Sequence, residues 1–172
     1  MNDLQHENSI LIVDDTPENL TVLRQILTEN GYRVRPALTG ETALTSIEND
    51  LPDLILLDIM MPDINGYEVC RKLKSDDRYS GIPIIFISAL DEIEDKIKGF
   101  SLGGVDYITK PFQAEEVLVR VRTHLALKTA LAEKEASNML LEGIISSFPD
   151  TIIAVNKDKQ VINSNKDMDQ IC

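Results

Sequence analysis

Five short apolar runs recur along the first 110 residues at intervals of about 20–30 residues, and an amphipathic stretch follows each of them. Parallel strands cannot be joined by a tight turn, so a strand-then-helix repeat of this length implies crossover connections and a parallel sheet covered on both faces. This repeat constrains the chain more than any single residue. It predicts an α/β fold with a doubly wound five-stranded parallel sheet and helices on both faces. The first run is Ser9–Val13 (SILIV), of buried-strand length, ending at Asp14 and Asp15. Residues 32–38 read as a half-buried second strand. Residues 54–57 form a third that feeds Asp58, residues 83–87 a fourth that ends at Ser88, and residues 105–109 a fifth that ends at Lys110-Pro111.

The intervening stretches carry helix signals. Thr16 is placed to cap a first helix with Pro17 at its first position, Leu20, Leu23 and Leu27 follow at helical spacing, and Gly31 stops it. Residues 39–49 turn Ala43, Leu44 and Ile47 inward. After Asp58 the run MPDING makes a loop, and residues 67–74 place Val69, Cys70 and Leu73 on one side of a helix. A fourth helix is expected around residues 92–102, where the acidic cluster at 91–95 (DEIED) suits the positive end of the helix dipole.

Composition narrows the function. The 172 residues are 43% hydrophobic and 27% charged, a globular balance, and suffice for one domain plus a remainder. The net charge is −12, and the first 110 residues hold twenty acidic against ten basic side chains. An acidic chain lacks the basic footprint of a nucleic-acid binder and the polybasic patch that holds proteins to anionic lipid. No apolar run approaches the roughly 20 residues that span a bilayer, and the N-terminus lacks the basic and apolar regions of a secretory signal. Cys70 and Cys172 make a poor disulfide framework. A cytoplasmic protein is expected.

In a doubly wound sheet, ligands gather beyond the carboxyl ends of the strands. The polar residues there are Asp14, Asp15, Asp58, Ser88 and Lys110. A lone Asp in such a position is usually a helix cap, and Lys110 taken alone would simply face water. Five polar residues at or beside the ends of four different strands are not explained by capping. Two carboxylates about 4 Å apart repel by about 4 kcal/mol at an effective dielectric of about 20, and a divalent cation relieves this. Hard oxygen ligands suit Mg²⁺ best, while Lys110 is available to neutralise part of an incoming phosphoryl group.

These residues resemble the receiver domain of two-component response regulators. The matching segments are ILIVDD (10–15), DLILLDIMMPDINGYEVC (53–70), IPIIFISAL (82–90) and DYITKPF (106–112), with Asp15, Asp58, Ser88 and Lys110 following one another at separations of 43, 30 and 22 residues. The resemblance covers residues 8–127 and implies the strand order 2-1-3-4-5. It implies that Asp58 is the phosphoacceptor, that Asp14, Asp15 and Asp58 hold Mg²⁺ together with the backbone carbonyl of Met60, that Ser88 and Lys110 contact phosphoryl oxygens, and that Tyr107 is an aromatic reporter that reorients. It also implies a histidine kinase or phosphotransfer protein as partner, and a cis bond at Lys110-Pro111 where the base rate alone favours trans.

The chemistry agrees with the residue types: an aspartate attacks a phosphohistidine and becomes an acyl phosphate, and Mg²⁺ with Lys110 stabilises charge on the equatorial oxygens. A phosphatase of the haloacid-dehalogenase type also uses a strand-end Asp, but it needs a second Asp two residues later, where this chain has Met60. The chain is therefore read as a switch and not an enzyme. His124 is followed by Leu-Ala-Leu and belongs on the last receiver helix; Cys70 is a packing residue.

From Gln113 the helical pattern runs on, with no Pro or Gly between Phe112 and Gly143. Leu127, Ala130, Lys134, Ser137, Leu141, Ile144 and Phe148 alternate spacings of three and four, and five of the seven are apolar. This interrupted heptad predicts a parallel dimeric coil over residues 128–146, against the alternative of one helix folded back on its own domain. Residues 147–172 read as strand, turn at 156–159 and strand, and resemble the opening of a PAS sensory domain, in which a Pro-Asp pair precedes the first hairpin. The organisation expected is a receiver (1–127), a helical linker (128–146) and an incomplete PAS-like segment (147–172), with an output beyond residue 172; the alternative is a free-standing phosphate shuttle or docking protein.

Overall fold

The computed structural model describes residues 8–89, 93–147, 153–158 and 161–164. Two units divide the chain, Met1–Ala126 and Leu127–Cys172. In the first, β1 (Ser9–Val13), β2 (Arg33–Ala37), β3 (Leu54–Asp58), β4 (Ile84–Ser88) and β5 (Asp106–Thr109) form a sheet of order β2-β1-β3-β4-β5, every pairing parallel. The helices α1 (Pro17–Glu29), α2 (Gly40–Asn49), α3 (Gly66–Lys74) and α4 (Ile93–Ser101) alternate with the strands, and α5 (Ala114–Ser147) follows β5.

Strand periodicity of two sorts the core into two layers. Leu11, Val13, Ile55, Leu57 and Phe86 face Ala43 and Ile47 of α2 and Val69, Cys70 and Leu73 of α3. Ile10, Ile12, Leu54, Leu56, Ile85, Ile87 and Ile108 face Leu20, Leu23 and Leu27 of α1 and Val117, Val121 and Leu125 of α5. Strands β1, β3 and β4 are buried at every position, whereas β2, at the edge, is mostly half-buried or exposed, as the sequence patterns predict.

Local signals behave as expected with small differences. Pro17 opens α1 and Gly31 follows its end with φ of +82°, a conformation that favours glycine. Thr16 precedes α1 but its side chain does not cap it; the Thr16 amide instead donates to the Asp14 carboxylate at 2.9 Å. Thr39 and Thr42 form a reciprocal capping box on α2, and the Asn65 side chain accepts from the Glu68 amide at the start of α3. Asp58 and Ser88 are the last residues of β3 and β4, one position inside the strands rather than just past them. The Lys110-Pro111 bond is cis. The acidic side chains at 91–95 and the heptad position Phe148 lie outside the described residues or side chains.

In the second unit, residues 129–147 of α5 are all exposed, among them Leu131, Met139, Leu140, Leu141, Ile144 and Ile145. A hairpin of β6 (Ile153–Val155) and β7 (Val161–Ser164) pairs antiparallel, matching the expected strand, turn and strand. Among the described residues, no helix is long and apolar enough to cross a membrane.

Gly66 opens α3 directly above the end of β3. A Cβ there would stand 2.2 Å from the Asp58 carbonyl oxygen and 2.9 Å from the Ile59 Cα. These are backbone atoms with no rotamer to yield. Gly66→Ala is expected to lower stability by about 1–3 kcal/mol through forced backbone shifts, read as a lower midpoint of urea unfolding.

Candidate functional site

Parallel pairing brings the carboxyl ends of β1, β3, β4 and β5 to one edge of the sheet. Val13 pairs with Leu57, so Asp14 emerges beside Asp58. Ser88 pairs with Thr109, and the Lys110 amide donates to the Ser88 carbonyl at 2.8 Å. Residues up to 96 positions apart in sequence thus meet because four strands stop together.

Asp14 and Asp58 are 1% and 2% exposed, a burial that acidic residues tolerate only when compensated. Lys110 supplies the compensation: its Nζ lies 2.7 Å from Asp14 Oδ2 and 2.8 Å from Asp58 Oδ2. The Asn19 side-chain amide donates to both oxygens of Asp14, at 3.0 and 3.1 Å, and the Met60 amide donates to Asp58 Oδ1 at 3.2 Å. Burial pushes the Asp58 carboxyl above its ordinary value; the hydrogen bond and charge of Lys110 offset only part of this, and the Asp14 charge adds to it. Burial also works against the Lys110 charge, but the two carboxylates outweigh it and hold the ammonium above the ordinary lysine value.

Asp15 is exposed, and the Thr16 hydroxyl donates to its Oδ1 at 3.4 Å. One oxygen from each of Asp14, Asp15 and Asp58 can be chosen so that all lie within 4.8 Å of one another. Three hard oxygen donors with a surplus of negative charge, open to solvent on the Asp15 side, fit a small divalent cation. Ser88 is fully buried at the end of β4, and Tyr107 is buried in β5 with Lys96 Nζ 5.5 Å from its ring centroid. The Met60 side chain is 60% exposed and carries no acid or base.

Sequence reasoning missed two groups. Asn19 is one; its signal is its place on the first turn of α1, five residues after Asp14. The other is an ion-pair cluster beneath the site. Asp106, which opens β5, accepts from Arg120 at 2.6 Å, from the Tyr107 amide at 2.8 Å, and pairs with His124 Nε2 at 2.9 Å. Arg120 also pairs with Glu116 one turn earlier on α5. His124 thus lies on the last helix as expected, with a structural partner. Cys70 is buried, and burial raises its thiol to about 11, which suits packing and not reactivity.

Sequence comparison identifies the class: the response regulator receiver domain family matches residues 10–122, and the chain belongs to that family. Receiver domains bind Mg²⁺ through an acidic pocket of this kind and interact with histidine kinases or phosphotransfer proteins. Among individual relatives, response regulator PleD of Caulobacter vibrioides is 42% identical over 140 residues, covering 80% of this chain and 31% of that protein. The alkaline phosphatase synthesis transcriptional regulatory protein PhoP of Bacillus subtilis is 37% identical over 158 residues, covering 88% and 65%. The chain therefore spans less than two thirds of either relative. A solved putative response regulator from Chloroflexus aurantiacus matches with a TM-score of 0.67 at 38% identity, over 70% of this chain and 98% of that one.

Burial pushes the Asp106 carboxyl up, but hydrogen bonds from Arg120, His124 and the Tyr107 amide, with the Arg120 charge, hold it below its ordinary value. A depressed carboxyl contributes stability that is present above the unfolded carboxyl range and is lost as pH falls through the folded value. Asp106→Asn is expected to cost about 1–3 kcal/mol at neutral pH and to flatten the acid side of the stability curve below about pH 4, as measured by urea unfolding across pH.

Proposed function

We propose that this chain receives a phosphoryl group on Asp58 from a phosphohistidine donor and passes its state along α5 as a homodimer. The observation that carries the reading is the buried Asp14–Lys110–Asp58 bridge beside exposed Asp15. Asp58 Oδ attacks phosphorus, the P–N bond to the donor imidazole breaks, and that nitrogen keeps the electron pair and takes a proton. Asp14, Asp15, Asp58 and the Met60 carbonyl would hold Mg²⁺, which when bound offsets the charge on the phosphoryl oxygens. Lys110 already stands within hydrogen-bond reach of both buried carboxylates, so it turns from Asp58 to the new phosphoryl oxygens without leaving the site. Ser88 is assigned a contact to one of those oxygens, and Tyr107 a change of ring position that follows Ser88.

Met60, two residues after the acceptor, is exposed and has an apolar side chain. Nothing in that side chain orients an attacking water, so the acyl phosphate is read as a held signal and not as a turnover intermediate. The same reading divides the chain into receiver (1–127), helical linker (128–146) and a PAS-like opening (147–172), supported by the exposed apolar residues of α5 and by the β6–β7 hairpin. An output located after residue 172, a cytoplasmic site of action and no direct contact with nucleic acid complete the proposal. The acidic charge supports the last of these.

Incubation with acetyl phosphate and Mg²⁺ tests it. Asp58→Asn keeps the shape, removes the nucleophilic oxygen, and is expected to abolish labelling; label retained at the wild-type rate refutes the assignment. Asp15→Ala removes one oxygen ligand and is expected to weaken Mg²⁺ affinity by about tenfold or more, equivalent to about 1.4 kcal/mol. A titration with unchanged Mg²⁺ affinity refutes the acidic pocket as the cation site.

A further inference from the structure

The exposed half of α5 carries two apolar seams rather than one. Leu127, Lys134 and Leu141 are spaced by seven and belong to both. Completed by Ala130, Ser137 and Ile144, they make one three-four pattern. Completed by Leu131, Asn138 and Ile145, they make a second. All nine positions are exposed on one continuous helix. At about 100° per residue, the two seam centres are separated by about 50° around the helix axis.

We infer that the occupant of both seams is a second copy of this chain, lying parallel and in register, and that the dimer has two packings related by an axial rotation of each helix. The inference rests on the dimer proposed above. Three features select a second copy. Asn138 falls at an a position of the second seam, where an Asn meets its own counterpart and specifies a parallel, in-register pair. Lys134 is a core position of both seams, flanked by Glu133 and Glu135. In the first seam it occupies an a position beside Glu133 at g of the other copy; in the second it occupies a d position beside Glu135 at e. Either way the buried-facing ammonium meets a glutamate, as self-pairing requires. Finally, an unpacked helix gains little from propensity alone, and its stability comes from covering an apolar face.

Neither seam wins outright. The first has small Ala130 and Ser137 layers, and the second has bulkier Leu131 but a polar Asn138 layer. Lys134 is a polar interruption in both. The receiver end of the same helix is bound to β5 through Asp106, Arg120 and His124, four residues before Lys110 of the site. A change at Lys110 therefore acts on α5 through β5 and tips the balance between two packings of similar strength.

Single cysteines separate the packings. Ser137→Cys reports the first seam and Asn138→Cys the second, each in a Cys172→Ser background, since Cys70 is buried. Both positions are exposed on the helix, so neither change disturbs the receiver core. Oxidative cross-linking is read with and without acetyl phosphate and Mg²⁺, and light scattering reports the mass. The expected result is a dimer in which both cysteines cross-link, with the ratio of the two yields changing severalfold on phosphorylation and unchanged in Asp58→Asn. Asn138→Leu in the Ser137→Cys protein is expected to suppress its cross-link by stabilising the second seam. A dimer that cross-links at one position only, or at an unchanged ratio, overturns the two-seam inference and leaves the dimer standing. A monomer by light scattering at high micromolar concentration overturns the dimer itself.

Discussion

The lysine bridge between two buried aspartates sets the terms for the rest of the structure. Asp14 and Asp58 are almost wholly removed from water, and each would be costly there as a lone charge. One ammonium, 2.7 and 2.8 Å from their oxygens, makes the arrangement tenable. It also leaves the site with net negative charge, since Asp15 adds a third carboxylate on the open side. The resting site is thus stable enough to fold yet short of positive charge. A divalent cation would offset the surplus of three carboxylates over one ammonium.

The strand order follows from the same demand. Asp14 lies just past β1, Asp58 ends β3 and Lys110 lies just past β5, and a parallel sheet in which β1 and β3 are neighbours sets the two aspartates side by side. The two-layer core holds the strands in that register. Slipping β3 by one residue would exchange Leu54 and Leu56 with Ile55 and Leu57 between the layers, and would turn Asp58 away from Lys110. Packing of aliphatic residues far from the site therefore fixes distances within it.

Helix α5 lives in two environments. Its first three turns bury Val117, Val121 and Leu125 against the sheet and anchor Arg120 and His124 on Asp106. Its remainder exposes leucines and isoleucines that no receiver surface requires. The ion-pair cluster at Asp106 gives β5 a grip on the helix that apolar packing alone would provide less directionally.

The chain's own sequence determined the element order and the parallel sheet, and it placed Asp14, Asp15, Asp58, Ser88 and Lys110 at or beside strand ends, because these depend on local apolar periodicity and on which residue ends each run. The strand boundaries came out one residue off at Asp58 and Ser88, since an apolar pattern stops at the last apolar residue while the backbone ladder continues through the polar one. Only the tertiary structure decided that Asn19 clamps Asp14, that Thr16 spends its amide on Asp14 in place of capping with its hydroxyl, and that Asp106 ties β5 to Arg120 and His124. Each of these is a polar contact satisfied by whichever donor the folded chain brings within about 3 Å, and spacing along the sequence carries no record of that distance.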